Sequence, residues 1–427
     1  MKILIIGSGI CGLSTYHFIR KHLPTHTVHI YEAYPKSVRA IGAGLGLAPN
    51  GVRVLHALDP AIVTELLEPT NSFTGETFVM RNSRGSTLAR LALGSCLRYK
   101  FPNIMIARSV LYTTLEKDLP ADAITYQTRV RCVREREDGV EVEFEDGRLE
   151  TCDLLLGADG VRSTIRSTVV GVGFEAQYHG LTAIGGFLPV DPLPQHIKES
   201  LKSHPIVMTF GRNGFFGYAP YSTAPSLRIM WWSTFSSPTP PPRDLPVDTI
   251  KTQLLTRHAD WVDPQGEHTH RELIEHATAS DEEMMVIPTW ITPSLPRYAL
   301  PSGRVVLLGD AAHAMPPESG QGASLALEDA QTIVLLLKHF LGEKQEADGE
   351  ALVSVAEAFG ALRMGRADYI LVEAKKRGDG KRSLTWYEEM MRDWIVWIMG
   401  FFPERVHDWK LGYEVEVEVE KYLAARR

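Results

Sequence analysis

The chain opens with a short apolar run, KILII at residues 2–6, that passes straight into G-S-G-I-C-G at residues 7–12. Few folds use that order of parts. The pattern predicts a buried parallel strand over 2–6, a helix over 10–22 and a second strand over 27–31. The three glycines then serve different ends. Gly7 makes the tight turn, Gly9 lets backbone approach a pyrophosphate, and Gly12 lets helix and strand pack closely. The phosphates would lie over the helix N-terminus, where unpaired N–H groups and the positive dipole end favour an anion. Glu32 follows the second strand, 20 residues after Gly12, and its carboxylate suits ribose hydroxyls. This unit predicts a dinucleotide-binding fold but does not choose between NAD and FAD.

At 427 residues the chain exceeds what one hydrophobic core organises, so two or three domains are expected. Its net charge of -7 argues against general affinity for nucleic acid. The four cysteines (Cys11, Cys96, Cys132, Cys152) have neither CxxC nor Cys/His spacing, which points to no metal and no disulfide framework. A strand beginning at residue 2 leaves no room for a cleavable signal, and no apolar run reaches 18 residues. A cytoplasmic protein without a membrane span is the expectation.

Farther along the texture changes twice. Residues 176–284 hold strand-like runs (IVMTF, GFFGYAPY, LRIMWWSTF) divided by Pro, Gly and Ser clusters, and SSPTPPPRDLP at 236–246 reads as a loop. Residues 72–97 look strand-like and suit the same sheet. Strand and helix alternate again over 285–341. A Trp- and Met-rich helical stretch, WYEEMMRDWIVWIMGFF, begins at 386, and GYEVEVEVEKYL follows it.

The choice of cofactor comes from residues 304–330, RVVLLGDAAHAMPPESGQGASLALEDA. A strand ends at Gly309-Asp310, and Gly320-Gln321-Gly322 then opens a helix. Glycine lets backbone lie against a flat ring, and the helix start stabilises negative charge there. A reduced flavin gains such charge on one edge. In this motif the chain resembles the single-component FAD-dependent aromatic hydroxylases, the salicylate and para-hydroxybenzoate hydroxylase family. DLLLGADGVRSTIR (153–166) and IGAGLGLAPNGVRVLHAL (41–58) carry the same resemblance, which covers most of 1–71, 98–175 and 285–340.

The resemblance implies an α/β fold: a Rossmann-like FAD-binding domain of the GR2 type (1–71, 98–175, 285–372), interleaved with a mainly antiparallel sheet domain for substrate (72–97, 176–284). A C-terminal helical segment (373–427) completes it. By resemblance Asp310 contacts the ribityl and pyrophosphate region, and Gly320, Gln321, Gly322 and Ala323 lie along the pyrimidine edge of the flavin. Asp159, Gly160 and Arg162 match the family's second acidic motif, Arg108 matches an arginine that contacts FAD, and Ala43 and Gly44 pass near the ring. Where many members have Asn, this chain has Ser324, which retains the capacity to cap the helix or donate a hydrogen bond.

Together with the lack of a second glycine motif in strand–helix context, the resemblance implies non-covalent FAD with NAD(P)H visiting as reductant. It further implies O2 and a flavin C4a-hydroperoxide that hydroxylates or epoxidises a small aromatic or secondary-metabolite substrate. Direct reduction of the flavin by substrate, as in an oxidase or dehydrogenase, is the alternative. Pro317 would sit at the reactive face. Met208, Phe216, Tyr218, Pro220 and Trp232 are candidate walls of the substrate pocket, with Tyr218 also a catalytic candidate. His179 and His204 are candidate bases, and His313 would order the loop over the flavin. Cys11 reads as packing, and a monomer and a homodimer both accord with the aromatic tail.

Overall fold

The computed structural model describes residues 1–38, 44–92, 94–242, 245–277, 284–342 and 348–426. Its centre is a five-stranded parallel sheet in the spatial order Val305–Leu307, Leu154–Gly157, Lys2–Ile6, Thr27–Tyr31, Ile124–Thr125. The strands Val305–Leu307, Leu154–Gly157 and Lys2–Ile6 read as near-continuous apolar runs because helices and a second sheet cover both faces. The helix Ile10–His22 lies against the helix Gly322–Leu341 on one side. On the other, Phe144 of the antiparallel strands Val130–Arg136, Gly139–Phe144 and Leu149–Cys152 packs on Tyr31, ring centroids 4.6 Å apart. The strand at 2–6, the helix at 10–22 and the strand at 27–31 fall where the pattern puts them.

A seven-stranded sheet stands beside this layer, ordered Met284–Ile291, Gln177–Pro189, Arg228–Ser236, Gly214–Ser222, Val207–Gly211, Thr77–Asn82, Thr87–Ala92. Neighbours are antiparallel except Val207–Gly211 with Thr77–Asn82. Both faces are apolar. On one, Val207, Phe216, Tyr218 and Trp231 meet the helices Gln195–Ser203, Val247–Arg257 and Thr269–His276 in a separate core. On the other, Ala219, Met230, Trp232 and Phe187 look toward Met105 and Phe73 of a small sheet, Gly44–Leu47, Ile104–Ala107 and Ser72–Thr74.

These pairings correct three of the expected limits. Residues 72–74 pair with Ile104–Ala107 and not with the large sheet. The strand Met284–Ile291 belongs to the large sheet through Gln177–Pro189, so a division at 284/285 cuts through it. A single helix, Gly349–Asp379, runs unbroken across 372/373.

Two helices are tied by buried charge. Asp329 and Glu328 on Gly322–Leu341 are fully buried, as is Arg363 on Gly349–Asp379. Arg363 Nε donates to Asp329 Oδ1 at 2.7 Å, its Nη1 lies 2.8 Å from Glu328 Oε2, and Arg366 donates to both Glu328 oxygens. Truncating one partner leaves buried charge uncompensated. Arg363→Leu is therefore expected to lower unfolding free energy by about 3–5 kcal/mol, measured by urea denaturation of holoprotein.

Candidate functional site

The strands Val305–Leu307, Leu154–Gly157 and Lys2–Ile6 are neighbours, so the loops leaving their carboxyl ends meet. This is the edge at which open α/β sheets bind ligands. Gly7 holds φ +104°, and a Cβ there would lie 2.3 Å from the Ala158 carbonyl oxygen; one on Gly12 would lie 2.0 Å from the Gly7 carbonyl oxygen. These two glycines are fixed by close approach, whereas Gly9 faces open space. The helix Ile10–His22 begins with no side-chain cap, leaving its first amides available to an anion. Glu32 accepts from Ser8 N and Ser8 Oγ, each at 2.8 Å, and from Tyr34 N at 3.0 Å. It thus shapes the loop that would carry the phosphates as well as facing the expected ribose position.

The adjoining loops supply the remaining polar groups. Asp159 Oδ2 accepts from Thr164 N at 2.7 Å, while its buried Oδ1 has no partner and burial raises the carboxyl's pKa. Gly160 is open, and Arg162 lies over the Trp290 ring. Asp310 is exposed to the crevice yet closely surrounded by protein. That desolvation raises its pKa against the opposing pull of His313 and Arg108, the latter half-buried at the start of the helix Arg108–Glu116. Gly320 is exposed, Gly322 and Ala323 half-buried, and Gln321 is buried with its Oε1 accepting from Asn50 Nδ2 at 2.9 Å. Pro317 is exposed at the start of the same loop. Nothing lies within 4 Å of a Cβ built on Gly320 or Gly322. Bare helix amides, an orphaned Asp159 oxygen and open glycine backbone fit FAD: Gly9 with the helix start for pyrophosphate, Glu32 for ribose, Gly320–Gly322 for the ring edge. Ala43 lies outside the described residues.

His313 does not face the crevice. Its Nε2 is 2.6 Å from Asp329 Oδ2, which also accepts from Gly309 N at 2.8 Å. The loop carrying Asp310 is therefore pinned from below. Burial alone would favour neutral imidazole, but Asp329 overrides it and raises the His313 pKa. Asp329 is likewise opposed by burial yet held down at about 2 by His313 and Arg363. Cys11 packs beneath this loop, with its Sγ donating to the Ala326 carbonyl at 3.4 Å and burial pushing the thiol up. Ser324 does not cap its helix: it is buried, its Oγ is unpartnered, and it presses on Gly51.

The pocket-wall candidates separate by strand parity. Met208 and Trp232 both pair with Gly217 and share its face, toward the small sheet. Trp232 lies so close over Gly217 that a Cβ there would be 2.5 Å from the indole. Met230, on the same face, presses on Gly44. Phe216 and Tyr218 do not line this wall. They point to the helical side, where Phe216 stacks on Trp231 at 5.6 Å and Tyr218 Oη sits 3.4 Å from Ser200 Oγ. Burial raises the Tyr218 pKa, and its place in that core removes the catalytic role expected of it. Pro220, two residues on, shares their parity. His204 is bonded to Arg90 at the end of the helix Gln195–Ser203, away from the crevice. His179 keeps an unpartnered Nε2 beside Gly378, and burial lowers its pKa.

Two groups escaped the sequence reading. Glu318 follows Pro317, its side chain is 1% exposed, and it faces Lys381 Nζ at 3.2 Å without a hydrogen bond of good geometry. That ammonium also lies 3.9 Å over the Phe215 ring, on the Trp232 face of the sheet. The second group is the Glu328–Asp329–Arg363 cluster. An acidic pair within the apolar LALEDAQTIVLLL was its one visible signal.

Among the described residues one parallel sheet carries the three convergent loops, beside a mainly antiparallel apolar sheet, the arrangement of a dinucleotide-binding flavoprotein fold. Residues 1–354 match the model of the FAD binding domain family. The chain belongs to that family and is an FAD-dependent monooxygenase, an oxidoreductase. It is 32% identical over 355 residues to the 3-amino-4-hydroxybenzoate 2-monooxygenase of Streptomyces cremeus, covering 81% of each chain. It is 31% identical over 387 residues to a salicylate hydroxylase of Pseudomonas putida, covering 86% of this chain and 83% of the relative. The crystal structure of Klebsiella pneumoniae HpxO complexed with FAD and uric acid shares the fold, with TM-score 0.78 and 23% identity, over 99% of this chain and 97% of that one. Among the described residues no helix is long and apolar enough to cross a membrane.

The His313–Asp329 pair sets a pH dependence. The raised His313 pKa contributes stability present in full below about 6.5, its ordinary value, and lost as pH rises through the folded value. Asp329 contributes above about 4 and loses that share as pH falls toward about 2. Wild type should exceed His313→Asn most between about pH 4 and 6.5, and the gap should narrow above, in urea melts across that range. Side-chain truncation should also separate the two sheet faces. Phe216→Ala is expected to cost about 3–5 kcal/mol in the same assay, while Trp232→Ala chiefly raises KM and peroxide leakage.

Proposed function

We propose that this monooxygenase takes its reducing equivalents from NAD(P)H and hydroxylates a small aromatic compound held between the Pro317–Gly322 loop and the Met208–Trp232 face of the large sheet. The carrying observation is that face itself. Trp232 lies close across Gly217; Phe187, Met230 and Phe215 continue an apolar wall, and Lys381 joins Phe215 on that wall to Glu318 of the loop. Bound FAD would supply the redox chemistry, relaying a hydride from NAD(P)H to O2 so that one oxygen atom enters the substrate and the other leaves as water. The protein's own part is exclusion of water and orientation of the ring to be oxidised.

Gly9 and the helix start would hold the pyrophosphate, Asp310 and Arg108 the ribityl region, and Gly320–Gly322 the flavin edge. The Glu318 carboxylate, beside Lys381, offers an acceptor for a phenolic proton at Oε1 or Oε2. Only one parallel nucleotide-binding sheet occurs among the described residues. That supports a transient visit by NAD(P)H over a dedicated domain for it. The relatives named for 3-amino-4-hydroxybenzoate and salicylate support a phenolic acid as the first substrate class to screen.

The test is a panel of hydroxy- and aminohydroxybenzoates with purified holoprotein under 18O2. At least one phenol should stimulate NADH or NADPH oxidation about tenfold or more, with label in the product and electrons recovered there. Glu318→Gln should lower kcat with little change in flavin content. Anaerobic bleaching of the flavin by substrate without NAD(P)H would replace this reading with that of an oxidase.

A further inference from the structure

The helix Trp386–Met399 is docked by its polar side. Its buried residues are Glu389, Arg392, Asp393 and Val396. Arg84 reaches Glu389 at 3.1 Å and Asp393 at 3.3 Å, Asn82 Nδ2 donates to Asp393 Oδ2, and Arg392 Nη1 donates to the Gly211 carbonyl at 2.8 Å. A capping box between Thr385 and Glu388 fixes the helix start, and Gly400 rests on Ala89 after its end. At 100° per residue the four buried positions fill one arc of about 100°, and apolar residues fill about 180° on the opposite side. Trp386, Tyr387, Trp394, Trp397, Phe401 and Phe402 are 66, 54, 58, 47, 70 and 60% exposed, and two Met and two Ile side chains lie among them.

We infer that this face is covered by the same face of a second copy of the chain, across a two-fold axis. Side chains of this size present about 150–250 Å² each when aromatic, so the patch approaches roughly 1,000 Å². That exceeds the roughly 300–600 Å² patches typical of monomers and meets the roughly 800 Å² per partner of a standard interface. Its composition, aromatic and Met-rich with charge excluded, is that of an interface centre. A lipid surface fits less well: the one exposed charge on the helix is Glu388, and the chain carries -7 overall, whereas helices lying on anionic bilayers present Lys and Arg. An isologous contact also suits the sequence, since antiparallel pairing sets the Trp386 end of one helix against the Phe401–Phe402 end of the other.

Full-length holoprotein examined by sedimentation equilibrium in the low micromolar range should show twice the mass of the 47.6 kDa chain. The double substitution Trp394→Glu and Trp397→Glu should weaken association at least about a hundredfold while FAD content and the melting transition stay unchanged. Ile395→Glu alone gives a milder version with the same direction. A wild type that is monomeric throughout overturns the inference. So does a dimer that both variants leave intact, or a wild type that floats with phosphatidylcholine vesicles and remains monomeric without them.

Discussion

Most of the site hangs on one buried carboxylate. Asp329 takes a hydrogen bond from Gly309 N, another from His313 Nε2 and a third from Arg363 Nε. One side chain thereby fixes the turn after the strand Val305–Leu307, the loop that follows it, and the distance between two long helices. Charge in such a place is strongly unfavourable unless its partners are complete, and here they are supplied from three places in the chain. A loop proposed to hold a flat ring in one plane would benefit from a support that cannot slide, because ion pairs with directed hydrogen bonds have one geometry while apolar packing tolerates several. Glu328 extends the same support to Asn50 and, through it, to Gln321 in the loop at 317–322.

The large sheet shows the complementary constraint. It must be apolar on both faces, since one meets three helices and the other meets Met105 and Phe73 of the small sheet. That is why strand parity could not be read from the sequence. In GFFGYAPY every position is apolar, aromatic or glycine, so alternation carries no sign of which face is which. The glycines hold the clue. Gly217 marks the face on which an indole lies against backbone, and its neighbours Phe216 and Tyr218 must point the other way.

Legibility followed the range of the interaction. Gly12, the helix at 10–22 and the strand at 27–31 are local, each set by neighbours within a turn or two, and the sequence displays them. The motif at 309–322 is also local, and with it the cofactor. What could not be read are contacts between distant segments: Glu318 with Lys381, and Asp329 with Arg363. Neither pair has a sequence period. The Ser72–Thr74 strand failed for the same reason, because its partner is chosen by the tertiary path of the chain and not by its own composition.

The aromatic tail helix follows from what it covers. The hairpin ends of the large sheet leave Asn82, Arg84 and the Gly211 carbonyl turned outward, and buried backbone and side-chain polar groups must find partners. A helix laid there has to offer charge inward, which Glu389, Arg392 and Asp393 do. Once its polar residues are committed to that side, the apolar ones have only the outer side left. The reversed amphipathicity is thus a consequence of capping a sheet end with a helix, and it converts a problem of unsatisfied hydrogen bonds within one chain into an exposed apolar face that a neighbouring molecule can cover.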